Sequence, residues 1–102
     1  MVIEHKLPFS ENAYKLSVSF NKYQNGQNAI QLFDMADGFP FAMASVALTN
    51  VDMDSDDVAI KNYSENEGIL ESLMAAGIIS KPHSFIPSGY VNIPICKIIK
   101  TA

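Results

Sequence analysis

Four aspartates in the middle of the chain have the spacing that most resembles a chemical site. They are Asp52, Asp54, Asp56 and Asp57. Alternating carboxylates of this kind open the calcium loop of an EF-hand, which needs glycine at its sixth position and glutamate at its twelfth. Those positions hold Asp57 and Tyr63, so the sequence excludes an EF-hand. A looser Ca²⁺ or Mg²⁺ site remains open as an alternative.

The charge of the chain is strongly segregated around these aspartates. Nine of the eleven acidic residues lie between Asp34 and Glu71, where Lys61 is the only base, so this window carries a net charge of −8. The chain has no arginine, and its overall charge is −4, which disfavours direct binding of DNA or RNA. We therefore expect the aspartates to form either a solvated loop or a surface that binds a basic protein.

Few residues suit catalysis. Cys96 is the only cysteine, which excludes an intrachain disulfide, and it lies in an isoleucine-rich stretch that is typical of a buried thiol. The two histidines are His5 and His83, and His83 has no partner near it in sequence. No serine elbow, phosphate-binding glycine loop or dinucleotide fingerprint is present. We predict a protein that is not an enzyme and has no cofactor, with enzymatic use of the aspartates as an alternative.

Aromatic and acidic residues follow the aspartates directly. Tyr63, Glu65 and Glu67 lie at the start of a predicted helix. Tyrosine supplies contact area at low entropic cost and is enriched at interfaces. An acidic rim around an aromatic anchor would suit a surface rich in lysine and arginine. We therefore predict one partner-binding face, made of the four aspartates, Tyr63, Glu65 and Glu67.

An antiparallel meander is the first element predicted to support this face. Residues 14–21 alternate between apolar and polar types, which is typical of a strand with one buried face. Asn25 and Gly26 predict a type I′ turn into a second strand over 29–35. Gly38 marks a further turn, and a third strand is predicted over 39–48.

One helix is predicted after the aspartates. Ser64 and Glu67 have the spacing of a capping box, and apolar residues then recur on one helical face. Gly77 lies where a left-handed C-terminal cap is expected. The pattern predicts a helix over about 65–76, which is too short to be stable without docking on a sheet.

The remaining elements complete a single predicted α+β domain over residues 1–102. A short strand is predicted over 58–61 and a long one over 90–99, where Pro94 indicates an edge position or a bulge. An open edge of that kind would favour a homodimer. The order of elements predicts an antiparallel sheet, made of the three-stranded N-terminal meander and the C-terminal strands, with one helix on one face.

Neither a membrane span nor a secretion signal is apparent. No apolar stretch approaches the ~20 residues that a transmembrane helix needs. The first residues, MVIEHKLPFS, lack the basic start and apolar run of a signal peptide. We therefore expect a cytoplasmic protein.

Two segments of the chain, KNYSENEGILESLMAAGIISKP and SGYVNIPICKI, resemble a small domain of unknown function carried by bacterial phages, plasmids and conjugative elements. The resemblance implies an origin on a mobile element and supplies no catalytic residues. Small acidic proteins from such elements often block host defence enzymes. We therefore expect a non-catalytic interaction module, with inhibition of a host defence nuclease or complex as its role. A small metal-binding or enzymatic protein and a self-associating accessory protein are the alternatives.

Overall fold

The structure is a computed structural model that describes residues 1–6 and 12–100 of the chain. This part of the chain contains two antiparallel sheets and one short α-helix. The first sheet has the order β1-β2-β3-β4, with strands Val2–Lys6, Ala13–Lys22, Asn28–Asp34 and Pro40–Met43. The second has the order β5-β7-β6, with strands Asp57–Ala59, Val91–Lys97 and Ser84–Ser88. Between β5 and β6 lie a 3₁₀ helix, Ser64–Asn66, and the helix α1, Ile69–Ala75. The chain therefore has the predicted α+β fold.

The N-terminal meander agrees with the alternation of its residues and is extended by one strand. The strands predicted over 14–21 and 29–35 are confirmed as β2 and β3. The third predicted strand is shorter than expected, because β4 ends at Met43 and only Ser45 continues as an isolated bridge to Ile60. The sequence does not predict β1, since the buried position of His5 would ordinarily hold an apolar residue.

The turn between β2 and β3 differs from the predicted type I′ turn. The Gly26 N–H donates to the Tyr23 carbonyl at 2.9 Å, so Gln24 and Asn25 are the central residues. A type I′ turn needs positive φ at both central residues, and Asn25 does not have it. Gly26, at φ +86°, follows the turn and supplies the left-handed residue that returns the chain to β3.

The predicted capping box does not form at the helix start. Ser64 lies in the 3₁₀ helix with a φ of +54°, whereas an N-cap residue needs extended backbone. The α-helix begins later, at Ile69, and makes no side-chain hydrogen bond from its N-cap residue Gly68. The Leu70 N–H instead donates to Asn62 Oδ1 at 3.0 Å. The helix is therefore shorter than the predicted span of 65–76, and Asn62 caps it from outside.

The helix end agrees with the prediction. Gly77 has a φ of +74°, its N–H donates to the Met74 carbonyl, and the Ile78 N–H donates to the Leu73 carbonyl at 3.1 Å. These two bonds are those of a Schellman cap. No helix in the described ranges has the length and apolar character that a membrane span requires.

The last strand is central in its sheet, so the edge position predicted for Pro94 is wrong. Cys96 of β7 lies in the main core, which is shared by both sheets and α1, while Ile93 and Ile95 pack in a second cluster on the opposite face. Pro94 is tolerated because β5 ends at Ala59, and the Pro94 carbonyl still accepts a bond from the Ile60 N–H. The strand is apolar on both faces because both are covered.

The edges of the second sheet are β5 and β6. Pro87 lies on β6 and lacks the N–H that a neighbouring strand would need, which blunts this edge. The edge on which the expected homodimer depended is therefore not on the last strand. A homodimer stays a prediction.

Candidate functional site

The aspartate loop, residues 52–57, closes around a lysine from the same chain. Lys97 Nζ lies 2.9 Å from Asp54 Oδ2, 3.1 Å from Asp56 Oδ1 and 2.8 Å from Asp57 Oδ1. The pairing of β5 with β7 sets this geometry, because it places Asp57 directly opposite Lys97. Hydrogen bonds to the three aspartates, with Asp57 the largest contributor, raise the pKa of Lys97 above its ordinary value.

Asp57 is buried, which contradicts the expectation that all four loop carboxylates are solvated. Its side chain is only 7% exposed. One carboxylate oxygen accepts the Asp54 N–H at 3.0 Å, and the other accepts a bond from His83 Nε2 at 2.8 Å. Burial acts to raise the pKa of Asp57, but hydrogen bonds from Lys97, the Asp54 N–H and His83 hold it below its ordinary value. His83 therefore does have a partner, which sequence proximity could not indicate.

Further hydrogen bonds fix the backbone of the aspartate loop. The Asn28 side-chain amide is buried and donates to the carbonyls of Ser55 and Asp57, each at 2.8 Å. The Ile98 N–H donates to the Asp56 carbonyl at 2.8 Å. The loop is therefore tied to β3 and to the end of β7, and its carboxylates contribute to the fold.

Three of these carboxylates also have the grouping of a cation site. Oxygens of Asp54, Asp56 and Asp57 lie within 4.8 Å of one another, and oxygen ligands suit Ca²⁺ and Mg²⁺. The Lys97 ammonium is within hydrogen-bonding distance of all three, so the three carboxylates already share one positive charge from the same chain. A divalent ion would have to displace this lysine.

A second acidic feature, the β1 groove, lies between β1 and the segment that holds the 3₁₀ helix and α1. It is open and has a volume of about 990 Å³. Glu4 and Lys6 line its β1 side, and Tyr63, Glu67 and Glu71 line the opposite side. All four charged residues among these are exposed, and Tyr63 is half-buried.

His5 and Ser72 form the floor of the β1 groove. His5 is 1% exposed, and its Nδ1 lies 2.8 Å from Ser72 Oγ. Ser72 Oγ also lies 3.2 Å from the Gly68 carbonyl oxygen, and its one hydroxyl proton can be donated either to that oxygen or to His5 Nδ1. Nε2 has no hydrogen-bond partner in the described part of the chain. Burial lowers the pKa of His5, so its ring is neutral at pH 7.

The carboxylates of the β1 groove are not balanced in the way that those of the aspartate loop are. Within residues 1–6 and 12–100, Glu4, Glu67 and Glu71 make no ion pair. Among the described residues that line the groove, Lys6 is the one lysine, and their net charge is −2. As far as the described residues show, the groove therefore presents negative charge to solvent without a paired base.

The structure divides the predicted partner-binding face between these two features. The four aspartates lie in the aspartate loop, whereas Tyr63 and Glu67 line the β1 groove. The side chain of Glu65 lies outside the described residues. Sequence reasoning missed Glu4 and Glu71 as groove residues, because nothing in the sequence indicates which face β1 presents to α1.

Cys96 is the buried thiol that the sequence predicts. It is fully buried in the main core, and burial, followed by the negative charge of Asp57, raises its pKa to about 11. The thiol is therefore protonated at pH 7, and the reactive form of cysteine is the thiolate. Its buried position gives no support to a role for Cys96 as a catalytic nucleophile.

Comparisons of the chain with protein-family models, with curated proteins and with solved structures found no match. A proposal for its function therefore rests on the two acidic features. The aspartate loop is closed by Lys97, and the β1 groove is open, negative and has a half-buried aromatic side chain on its wall. Of the two, the groove is the one that is open to solvent.

Proposed function

We propose that the protein is a non-catalytic interaction module that binds a basic segment of a partner protein in the β1 groove. The observation that carries this proposal is that Glu4, Glu67 and Glu71 line one open groove and make no ion pair with any described residue. Electrostatic complementarity of this kind speeds association and selects partners by charge. A lysine- or arginine-rich segment is the complement.

The aspartate loop is the weaker candidate for the same interaction. Lys97 already bonds three of its four aspartates, and a basic partner would have to compete with this intramolecular cation. Among the loop aspartates, Asp52 alone is exposed and outside that network. We therefore move the proposed binding face from the loop to the groove, with Tyr63 and Glu67 retained from the face that the sequence predicts.

Tyr63 supports the proposal as a rigid contact residue. It packs against the second hydrophobic cluster, and Lys61 Nζ lies 5.7 Å from the centroid of its ring. A side chain that is held in place before binding loses little entropy when a partner arrives. Its position on the groove wall therefore provides apolar contact area beside the carboxylates.

A matched pair of triple variants tests the proposal. One variant carries Glu4→Gln, Glu67→Gln and Glu71→Gln, and the other carries Asp52→Asn, Asp54→Asn and Asp56→Asn. Each removes three negative charges with little change in shape. The probe is a synthetic peptide of about eight residues in which equal numbers of lysine and threonine alternate, long enough to pair as a strand, and its affinity is measured by calorimetry.

We expect the groove variant to lose about fivefold to tenfold in affinity for this peptide, and the loop variant to lose much less. Wild-type affinity should fall as salt is raised from about 50 to about 300 mM, because the charges are exposed. A peptide with glutamate in place of lysine is the control and should not bind. Equal losses in both variants, or no binding of the lysine peptide, would overturn the proposal.

An origin on a mobile element and a role in blocking a host defence nuclease or complex stay predictions of the resemblance alone. Such a target would place the protein in the cytoplasm, where host defence enzymes act on invading nucleic acid. Neighbouring genes provide the test. Anti-defence genes beside this one would support the role, and a metabolic operon would contradict it.

A further inference from the structure

The outer edge of β1 has no neighbouring strand among the described residues. The Val18 N–H donates to the Met1 carbonyl, and Ile3 and His5 stand opposite Leu16 and Tyr14 of β2. Backbone groups of successive residues in a strand point to alternate sides. Met1, Ile3 and His5 therefore bond β2, and the backbone groups of Val2, Glu4 and Lys6 point away from the sheet.

These outward backbone groups border the β1 groove. Glu4 and Lys6 line it, and neither makes a backbone hydrogen bond on that side to any described residue. The floor adds a second polar group without a partner, the buried Nε2 of His5. An open strand edge is a ready template for pairing with another chain, because its donors and acceptors are already aligned.

We infer that the basic segment binds as an extended strand that adds to the first sheet along β1. This inference rests on the proposed function and gives its mode of recognition. Backbone bonds to Glu4 would supply affinity that does not depend on partner sequence. Alternate side chains of the added strand would face the opposite wall, where Glu67 and Glu71 favour lysine or arginine.

Two other edges of the sheets, on β6 and β4, fit this role less well. β6 carries Pro87, which removes one donor from its outer edge. On β4, Pro40 does the same at the start of the strand. β1 has no proline, and of these three edges it is the one that borders the unpaired glutamates.

Two isomeric peptides test the inference against simple charge attraction. Both have the alternating lysine and threonine sequence, but one is N-methylated at every lysine and the other at every threonine. They have equal charge and mass. In an added strand, only every second amide faces β1, so methylation blocks pairing in one isomer and is tolerated in the other.

We expect the affinity of one isomer for the wild-type protein to lie within about threefold of that of the unmethylated peptide. The affinity of the other isomer should be at least about tenfold lower. Equal binding by both isomers, with the groove triple variant still weakened, would overturn strand addition and leave the proposed function intact. Failure of every lysine peptide to bind would overturn both.

A change in the protein gives an independent measurement. Glu4→Pro removes an N–H that points away from β2, so the β1–β2 ladder keeps its bonds. Glu4→Gln removes the same charge and keeps the N–H. We expect Glu4→Pro to bind the unmethylated peptide several-fold more weakly than Glu4→Gln. Equal affinities of the two folded variants would contradict backbone pairing at this residue.

Discussion

The aspartate loop and the β1 groove are both acidic, but they differ in where their counter-charge comes from. In the loop, Lys97 reaches across from β7 and bonds Asp54, Asp56 and Asp57. In the groove, Glu4, Glu67 and Glu71 have no such partner among the described residues. The denser group of acids is therefore the one that is paired inside the fold, and the sparser group has no paired base among the described residues.

The comparison shows that acidic density along a chain does not locate free negative charge. The loop has four aspartates within six residues, but Asp57 is buried, and Asp57 and two of the others form ion pairs with Lys97. The glutamates of the groove are 67 residues apart in sequence from Glu4 to Glu71 and meet only because α1 contacts β1. Binding and stability should therefore separate cleanly between the two regions.

The largest expected effect of a single change is on the stability of the aspartate loop. Both carboxylate oxygens of Asp57 accept hydrogen bonds, from Lys97, His83 and the Asp54 N–H. In Asp57→Asn one of these oxygens becomes an NH₂ group, which cannot accept, so at least one buried hydrogen bond is lost and two donors face each other. We expect a loss of about 2 kcal/mol in the free energy of unfolding. Chemical denaturation measures it, with Asp52→Asn as the control that should change stability by less than about 0.5 kcal/mol. Equal stability of the two variants would mean that the loop is not structural.

A smaller effect is expected at the wall of the groove. Asn62→Ala removes the acceptor of the Leu70 N–H and should cost about 1 kcal/mol. Ser64→Ala should cost much less, since Ser64 makes no capping bond at the start of its helix. Thermal melts of the two variants compare the caps directly. A larger loss for Ser64→Ala would restore the capping box that the sequence predicts.

The smallest effect expected is a pH dependence from the groove floor. Burial lowers the pKa of His5, so the unfolded chain takes up a proton that the folded protein excludes. The contribution of His5 to the free energy of unfolding should be fully present above about pH 6.5, the ordinary pKa of histidine. It should fall as the pH drops below that value. The contribution of Asp57, whose pKa is also lowered, is lost only in a more acidic range, below about pH 4.

Denaturation at several pH values between about 5 and about 8 measures the effect of His5. The variant His5→Gln should show a flatter dependence of the free energy of unfolding on pH in this range. His83→Gln is the matched control, because it removes the other histidine and leaves the groove floor unchanged. If His5→Gln keeps the full slope, the His5 ring is not held neutral by burial.

Local patterns predict the parts of the fold that depend on local physics. The sequence predicts β2 from the alternation of apolar and polar residues, and it predicts the helix end from Gly77, because each feature depends on a few consecutive residues. The predicted capping box is wrong because Ser64 has a left-handed backbone and the Leu70 N–H donates to Asn62 instead. Pro94 is misleading because its tolerance depends on where β5 ends.

The candidate site is harder to predict because its partners are distant in sequence. His5 bonds Ser72 across 67 positions, and Lys97 bonds Asp54 across 43. No local pattern connects either pair. Tyr63 and Glu67 are predicted because they combine a residue type common at interfaces with the acidic window, but their neighbours across the groove come from β1.

The most direct test of whether the groove, and not the loop, binds a basic partner is to map a bound peptide by NMR. Backbone amide resonances of the protein are followed while the alternating lysine and threonine peptide is added. We expect the largest shifts in β1 and in residues 62–75, with the amides of Asp54, Asp56 and Asp57 almost unchanged. Shifts concentrated in residues 52–57, with β1 unaffected, would contradict the account.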